Sequence, residues 1–90
     1  MSLKIIPAAK KQIKKLPRTL QIVVGNRIRG LGARDFSGSK KLTSYKDVYR
    51  VRIGYYRIIY ILRADIICII LVAHRRDAYK KLATYYRHFA

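Results

Sequence analysis

Hydrophobic positions change their period near the middle of this chain. Ala9, Ile13 and Leu16 keep helical spacing, and so do Leu20, Val24, Ile28 and Leu31, with Val23 beside them. Such stripes mark amphipathic helices with one buried face. Pro17 separates the two runs, which predicts an antiparallel helix pair with Gly30 and Gly32 near its end. Gly25 in mid-helix costs about 1 kcal/mol relative to Ala and leaves room for close packing. From Val48 onward the period falls to two, the spacing of strands. Tyr49, Val51 and Ile53 share one face, and Val48, Arg50 and Arg52 share the other. Gly54 predicts a turn, Tyr55 to Leu62 a second strand, and Arg63-Ala64-Asp65 another turn. Ile66 to Val72 is almost continuously apolar, as a strand covered on both faces should be.

At the ends, Leu3 to Ile6 reads as a short first strand stopped by Pro7. Ala78 to Phe89 reads as a last helix, with Tyr79, Leu82, Tyr86 and Phe89 at helical spacing. The stretch from Ala33 to Asp47 is a polar connection with a short ordered piece around Leu42 and Tyr45. The expected order is β-α-α-β-β-β-α, an α+β fold in a single domain over residues 1–90. The last three strands, joined by tight turns, must be antiparallel neighbours in a small antiparallel sheet. The helix pair covers one face, leaving the other partly open with arginines on it.

Charge then alters the picture. There are 21 Lys plus Arg against four acidic residues, all Asp, for a formal net charge of +17. A chain so basic attracts polyanions. Its 51% hydrophobic content argues against disorder. Cys68 is the only cysteine and is expected to be a core residue, so an internal disulfide is impossible. The apolar runs are too short to span a bilayer and Met1 to Pro7 lacks a signal-peptide stretch, so a cytoplasmic location is expected.

Three arginines sit inside strands, Arg50, Arg52 and Arg57, and the cluster His74-Arg75-Arg76-Asp77-Ala78-Tyr79 follows. Strand interiors normally hold β-branched and aromatic residues. Fixed cations beside a histidine and a tyrosine suit a surface that holds phosphate. Without Glu, and with few His, metal sites and paired-carboxylate catalysis are starved of ligands. No metal and no cofactor is expected. Metal-free RNA cleavage remains open, because RNA carries its own nucleophile, the 2′-OH. Arginine suits the charge role, His74 titrates near neutrality when unperturbed, and Tyr79 can hydrogen-bond or stack on a base. Plainer roles stay open for each: Arg50 and Arg52 as edge-strand charges, Arg57 as a structural residue, Arg75 and Arg76 as solvated charges, Tyr79 as helix core, His74 as a bystander. Lys10, Lys11, Lys14, Lys15, Lys40 and Lys41 are candidates for a general RNA- or ribosome-binding surface, together with Arg76.

At these residues the chain resembles the RelE family of toxins from toxin–antitoxin modules. The resemblance runs through Lys41-Leu42, Tyr49-Arg50-Val51-Arg52-Ile53, Gly54-Tyr55-Tyr56-Arg57-Ile58-Ile59-Tyr60 and Val72-Ala73-His74-Arg75-Arg76-Asp77-Ala78-Tyr79. It implies a microbial-ribonuclease-like fold and a ribosome-dependent endonuclease that cuts A-site mRNA without metal, inhibiting translation. It also implies an acidic, RelB-like antitoxin as partner, with promoter DNA bound only through the toxin–antitoxin complex. By resemblance, Arg50 and Arg52 match basic residues at the scissile region, Arg57 and Arg75 match phosphate-stabilising arginines, and Tyr79 matches a tyrosine that orients or stacks on mRNA. Family members carry lysines where Arg50 and Arg52 stand, and Ala73 replaces a common glycine. An arginine effectively cannot give up its proton, which leaves His74 or Tyr79 for proton transfer. A ParE-like inhibitor of DNA gyrase with a similar fold, and a plain RNA-binding protein, are the competing readings.

Overall fold

The computed structural model describes residues 2–87. In chain order the elements are β1 (Ser2–Ile5), α1 (Pro7–Lys14), α2 (Arg18–Gly32), β2 (Ser39–Lys41), β3 (Val48–Ile53), β4 (Tyr56–Arg63), β5 (Ile66–His74) and α3 (Arg75–Tyr86). The expected α+β order is present, with one short extra strand, β2, inside the predicted connection. Phe89, placed by its spacing in the last helix, lies outside the described residues.

One five-stranded sheet runs β1-β5-β4-β3-β2. β3, β4 and β5 pair antiparallel through two-residue turns, Gly54-Tyr55 and Ala64-Asp65. Gly54 and Ala64 both adopt positive φ, 55° and 51°. Glycine reaches that region freely, whereas alanine does so at a steric cost. β1 lies parallel to β5, so the sheet is mixed rather than wholly antiparallel. β5 is the pivot, with β1 on one edge and β4 on the other.

The helix pair and one sheet face bury Ala9, Val24, Ile28, Leu31, Val51, Ile58, Tyr60, Ile67, Ile69 and Val72. The opposite face is less open than its arginines suggested. There α3 presses Ala78 and Leu82 onto Val48, Ile59, Ile61, Ile70, Leu71 and Ala73, forming a second core. A register shift between Ile59 and Tyr60 leaves Ile70 without a partner on β4, so Ile70 and Leu71 both join this second core. Bulges of this kind re-aim consecutive side chains. They allow one apolar run to serve both faces.

Local details depart from expectation in instructive ways. The left-handed residue that ends α2 is neither Gly30 nor Gly32 but Arg34, with φ 66°. Arg34 N–H donates to Leu31 O, and Asp35 N–H donates to Gly30 O, the two bonds of a Schellman motif. Gly32 instead gives way to Leu3, because a Cβ there would lie 3.2 Å from its Cδ2. Gly25 meets no neighbouring element. Its missing Cβ would find only the Arg29 guanidinium, at 3.8 Å, so close packing does not account for it. Cys68 is half-buried, not core, and lines a shallow apolar groove with Ile61, Arg63 and Ile66. Burial is the main cause that pushes its thiol up from the usual range, which disfavours the thiolate.

Gln12 does what β1 no longer can. β1 stops pairing at Ile5 opposite Ile69. Beyond that point the Val72 N–H donates to Gln12 Oε1 at 2.8 Å, and Gln12 Nε2 donates to the Tyr85 hydroxyl at 3.1 Å. One amide thereby satisfies a buried strand donor and ties α1 to α3. An unsatisfied buried N–H costs about 1–3 kcal/mol. Gln12→Leu is expected to lower unfolding stability by about that amount, read as a fall in the urea midpoint at unchanged slope.

Candidate functional site

The site is built on the face that carries α3. Strand pairing sets Arg52 directly opposite Arg57, and Arg57 opposite Ala73. The next row in that direction joins Lys40, Arg50, Ile59 and Leu71. Arg50, Arg52, Arg57 and Lys40 therefore project from one side of the sheet, as the sequence parity required. Lys41 falls on the opposite side, in the row of Tyr49 and Tyr60. The edge-strand explanation fails for Arg50, since β2 covers β3 there.

The arginines differ in environment. Arg50 and Arg57 are buried and Arg52 is exposed. Arg57 donates from Nη1 to Gly54 O at 3.1 Å and to Tyr56 O at 2.9 Å, so one arm of its guanidinium holds the β3–β4 turn. It is thus a structural residue in part, with Nε and Nη2 making no protein hydrogen bond among the described residues.

None of these arginines is neutralised. Asp35 pairs with Arg27 at 3.8 Å, Asp65 with Arg34 at 2.9 Å, and Asp47 with Arg63 at 3.2 Å. Among the described residues no ion pair reaches Arg50, Arg52, Arg57, Arg75 or Arg76. Asp35 is held below the usual carboxylate range chiefly by hydrogen bonds from Ser37, with Arg27 contributing least. Three of the four acids thus secure loops and turns away from the sheet arginines.

At the end of β5, His74 is the N-cap of α3. Its Nδ1 accepts from the Arg76 N–H at 3.2 Å. That bond requires an unprotonated Nδ1, so the neutral ring carries its proton on Nε2. The imidazole stacks against Tyr55, with centroids 6.0 Å apart, and meets Tyr56 edge-on at 5.5 Å. Arg75 lays its guanidinium over the Tyr55 ring at 5.1 Å and donates its N–H to Tyr55 O at 2.7 Å. His74 and Arg75 are therefore brought together with the β3–β4 turn. Tyr79 is 46% exposed and makes no hydrogen bond or ring contact among the described residues. It is not the helix core that its spacing suggested; Ala78 and Leu82, flanked by Tyr85 and Tyr86, are.

Lys10, Lys11, Lys14 and Lys15 are all exposed on or just beyond α1. α1 packs on the sheet face of Ile58, Ile69 and Val72, whereas the arginine row shares the opposite face with Ile59, Leu71 and Ala73, so these lysines do not join the row. Arg76 is exposed at the start of α3. No group of three or more His, Cys, Asp or Glu able to hold a metal occurs among the described residues. No helix there is long and apolar enough to cross a membrane. Sequence reasoning missed Tyr55 as a member of the site. Its signal was present: two-residue hairpin turns favour Gly, Asn and Asp, and a tyrosine in that turn is out of pattern.

The fold is that of small toxins solved with or without their antitoxins. The chain superimposes on RelE in the RelB–RelE antitoxin–toxin complex of Methanococcus jannaschii with a TM-score of 0.72 at 22% identity, covering 87% of this chain and 96% of that one. The RelBE2 toxin–antitoxin complex of Mycobacterium tuberculosis gives 0.69 at 23% identity, covering 82% and 96%. Isolated RelE of E. coli gives 0.67 at 20% identity, covering 92% and 95%. No curated protein sequence matches the chain. A family model described as the ParE toxin of the type II toxin–antitoxin system parDE matches residues 3–79. The chain belongs to that family, and hence to the RelE/ParE superfamily of type II toxins.

The capping role of His74 can be separated from any chemical one. His74→Ala is expected to cost about 1 kcal/mol of stability, the usual worth of an N-cap. His74→Asn, which restores a capping oxygen, should recover most of it. Urea unfolding of the three proteins measures both; equal stability of Ala and wild type would remove the cap from the account.

Proposed function

We propose that this toxin cleaves mRNA in the ribosomal A site by metal-independent attack of a 2′-OH on the adjoining phosphate, thereby inhibiting translation. The observation behind the reading is the row of Arg50, Arg52 and Arg57, which makes no ion pair among the described residues, with Arg75 following at the start of α3. Fixed guanidinium groups stabilise charge that develops on a phosphorane without having to reorganise, which can be the largest single term in catalysis. On this reading Arg52 and Arg50 meet the scissile region, Arg57 and Arg75 hold the phosphate, and His74 or Tyr79 handles protons. His74 in its capping tautomer presents Nε2–H as a hydrogen-bond donor to a developing oxyanion, and it can transfer a proton only after releasing the Arg76 N–H. The partners are the ribosome with its mRNA, and an acidic RelB-like antitoxin through which promoter DNA is bound. The exposed lysines and Arg76 add attraction to RNA, and the setting is the cytoplasm. The similar RelB–RelE and RelBE2 complexes, in which a toxin is solved with its antitoxin, support the antitoxin part of this reading.

A second reading has its own support. The matching family model is that of ParE, and a ParE-like toxin would inhibit DNA gyrase and need no cleavage site. Family membership disfavours the third possibility, a plain RNA-binding protein.

Expression of the chain without antitoxin should stop growth and leave translated messages cut in frame. Mapping mRNA ends before and after induction tests this; intact messages with arrested replication would establish the gyrase reading instead. Arg52→Ala is the informative variant, because Arg52 is exposed and makes no ion pair among the described residues. It should lower cleavage at least tenfold on ribosomes while changing stability by no more than about 0.5 kcal/mol. EDTA should leave cleavage unchanged, and a metal requirement would overturn the mechanism.

A further inference from the structure

The turn that carries Tyr55 has no explanation in the chemistry above. Gly54 supplies its positive φ, and Arg57 Nη1 fastens its carbonyls from below. Arg75 N–H fastens Tyr55 O from α3. The turn is therefore held at three points and ordered. Upon it stands Tyr55, 65% exposed, which makes it the most exposed of the large hydrophobic side chains described. A tyrosine so exposed buries little apolar area and gains little stability from its place. Its ring is nevertheless oriented by the His74 imidazole, nearly parallel at 19°, and by the Arg75 guanidinium above it.

A rigid aromatic ring with an accessible surface, flanked by a cation and placed two residues from Arg57 in a row of arginines that make no ion pair among the described residues, matches the requirements of a stacking site for a nucleobase. Bases offer a π-face whatever their identity, and protein aromatics and guanidinium planes stack on them. Arg57 joins the two parts: it lies in the arginine row and grips the Tyr55 turn. A strand whose phosphate lies on the row thus has its neighbouring base beside Tyr55. We infer that Tyr55, with His74 and Arg75, forms a stacking platform for one unpaired base of the message that the arginine row holds. This deepens the nuclease reading and rests on it for the identity of the strand.

Two assays separate the inference from that reading. In the first, the purified toxin binds a short single-stranded 2′-O-methyl oligoribonucleotide, which cannot be cleaved, and a series in which one position at a time is abasic. Wild type should lose binding on the order of tenfold at one abasic position. Tyr55→Ala should lose a similar factor on the intact strand and become indifferent to that position. Tyr55→Phe should behave as wild type, since stacking needs the ring and not the hydroxyl. The salt slope of binding should stay the same in both variants, because no cation is removed. Wild-type affinity in Tyr55→Ala, or an abasic effect that survives the substitution, would overturn the platform.

In the second assay, cleavage sites on translated messages are mapped. Tyr55→Ala should cut with a flattened base preference at one position beside the break. A slower rate with an unchanged pattern would assign the stacked base to ribosomal RNA and overturn the message assignment. Absence of cleavage by wild type would overturn the nuclease reading and the message assignment with it, while the abasic series would still decide whether the platform exists.

Discussion

The burial of β5 on both faces is the constraint on which the rest of the molecule depends. Ile67, Ile69 and Val72 face the helix pair, and Ile70, Leu71 and Ala73 face α3. A strand with so little polar surface has no stable position except at the centre of a sheet under two layers. It must find β4 on one side and β1 on the other, and it must draw α3 back across the face that the helix pair leaves bare. The bulge at Ile70 fits its single apolar run to both cores. Where β1 ends, a glutamine from α1 completes the edge. The strand then emerges at His74, which caps the helix that covers it. The candidate site lies at this exit, so the packing of β5 and the placing of His74 and Arg75 are one structural fact.

Charge is arranged around that frame with economy. A net charge of +17 on ninety residues is a strong self-repulsion, and three of the four acids are paired with arginines that stabilise loops and turns. Exposed pairs of this sort contribute at most about 1 kcal/mol each. Their greater consequence is positional. Asp35, Asp47 and Asp65 are committed elsewhere, and among the described residues no ion pair reaches the sheet arginines. Burying Arg50 and Arg57 without a carboxylate carries a desolvation cost. Arg57 offsets part of it with carbonyl bonds, and an arriving polyanion would offset the remainder. A surface of this kind is matched to a negatively charged partner, whether a phosphate backbone or an acidic antitoxin segment.

Much of this was legible in the sequence because period and parity are local. The helix stripes at Val24, Ile28 and Leu31, the strand alternation at Tyr49 to Ile53 and the continuous run of β5 reflect burial directly. Parity alone put Arg50 and Arg52 on one side. What escaped depended on contacts between segments distant in sequence. Nothing near Arg34 announces a left-handed cap, which two backbone bonds impose. Tyr79 was read with Leu82 and Tyr86 because a spacing of three and four residues suits several stripes, and the sheet beneath α3 chose the one through Ala78 and Leu82. Gln12 is an ordinary polar residue on a basic helix until β1 ends short of Val72. The structural role left open for Arg57 could not be specified, because its bonds go to a turn whose carbonyls have no side-chain signature.

The geometry also bears on the division of chemical labour. Every group at the site with a settled hydrogen-bonding role is a donor: the guanidinium groups of Arg50, Arg52, Arg57 and Arg75, and the Nε2–H of a His74 whose Nδ1 is occupied by the α3 backbone. Such donors stabilise negative charge, but a guanidinium and a neutral imidazole N–H neither give up a proton readily nor remove one. For His74 to act as a base through Nδ1 it would have to release the Arg76 N–H, and protonation would add positive charge at a helix N-terminus already flanked by two arginines. Both steps oppose it, since the helix dipole favours negative charge there. On the nuclease reading, therefore, these groups supply electrostatic stabilisation, and proton transfer falls to Tyr79 or to a His74 that has let go of the α3 backbone.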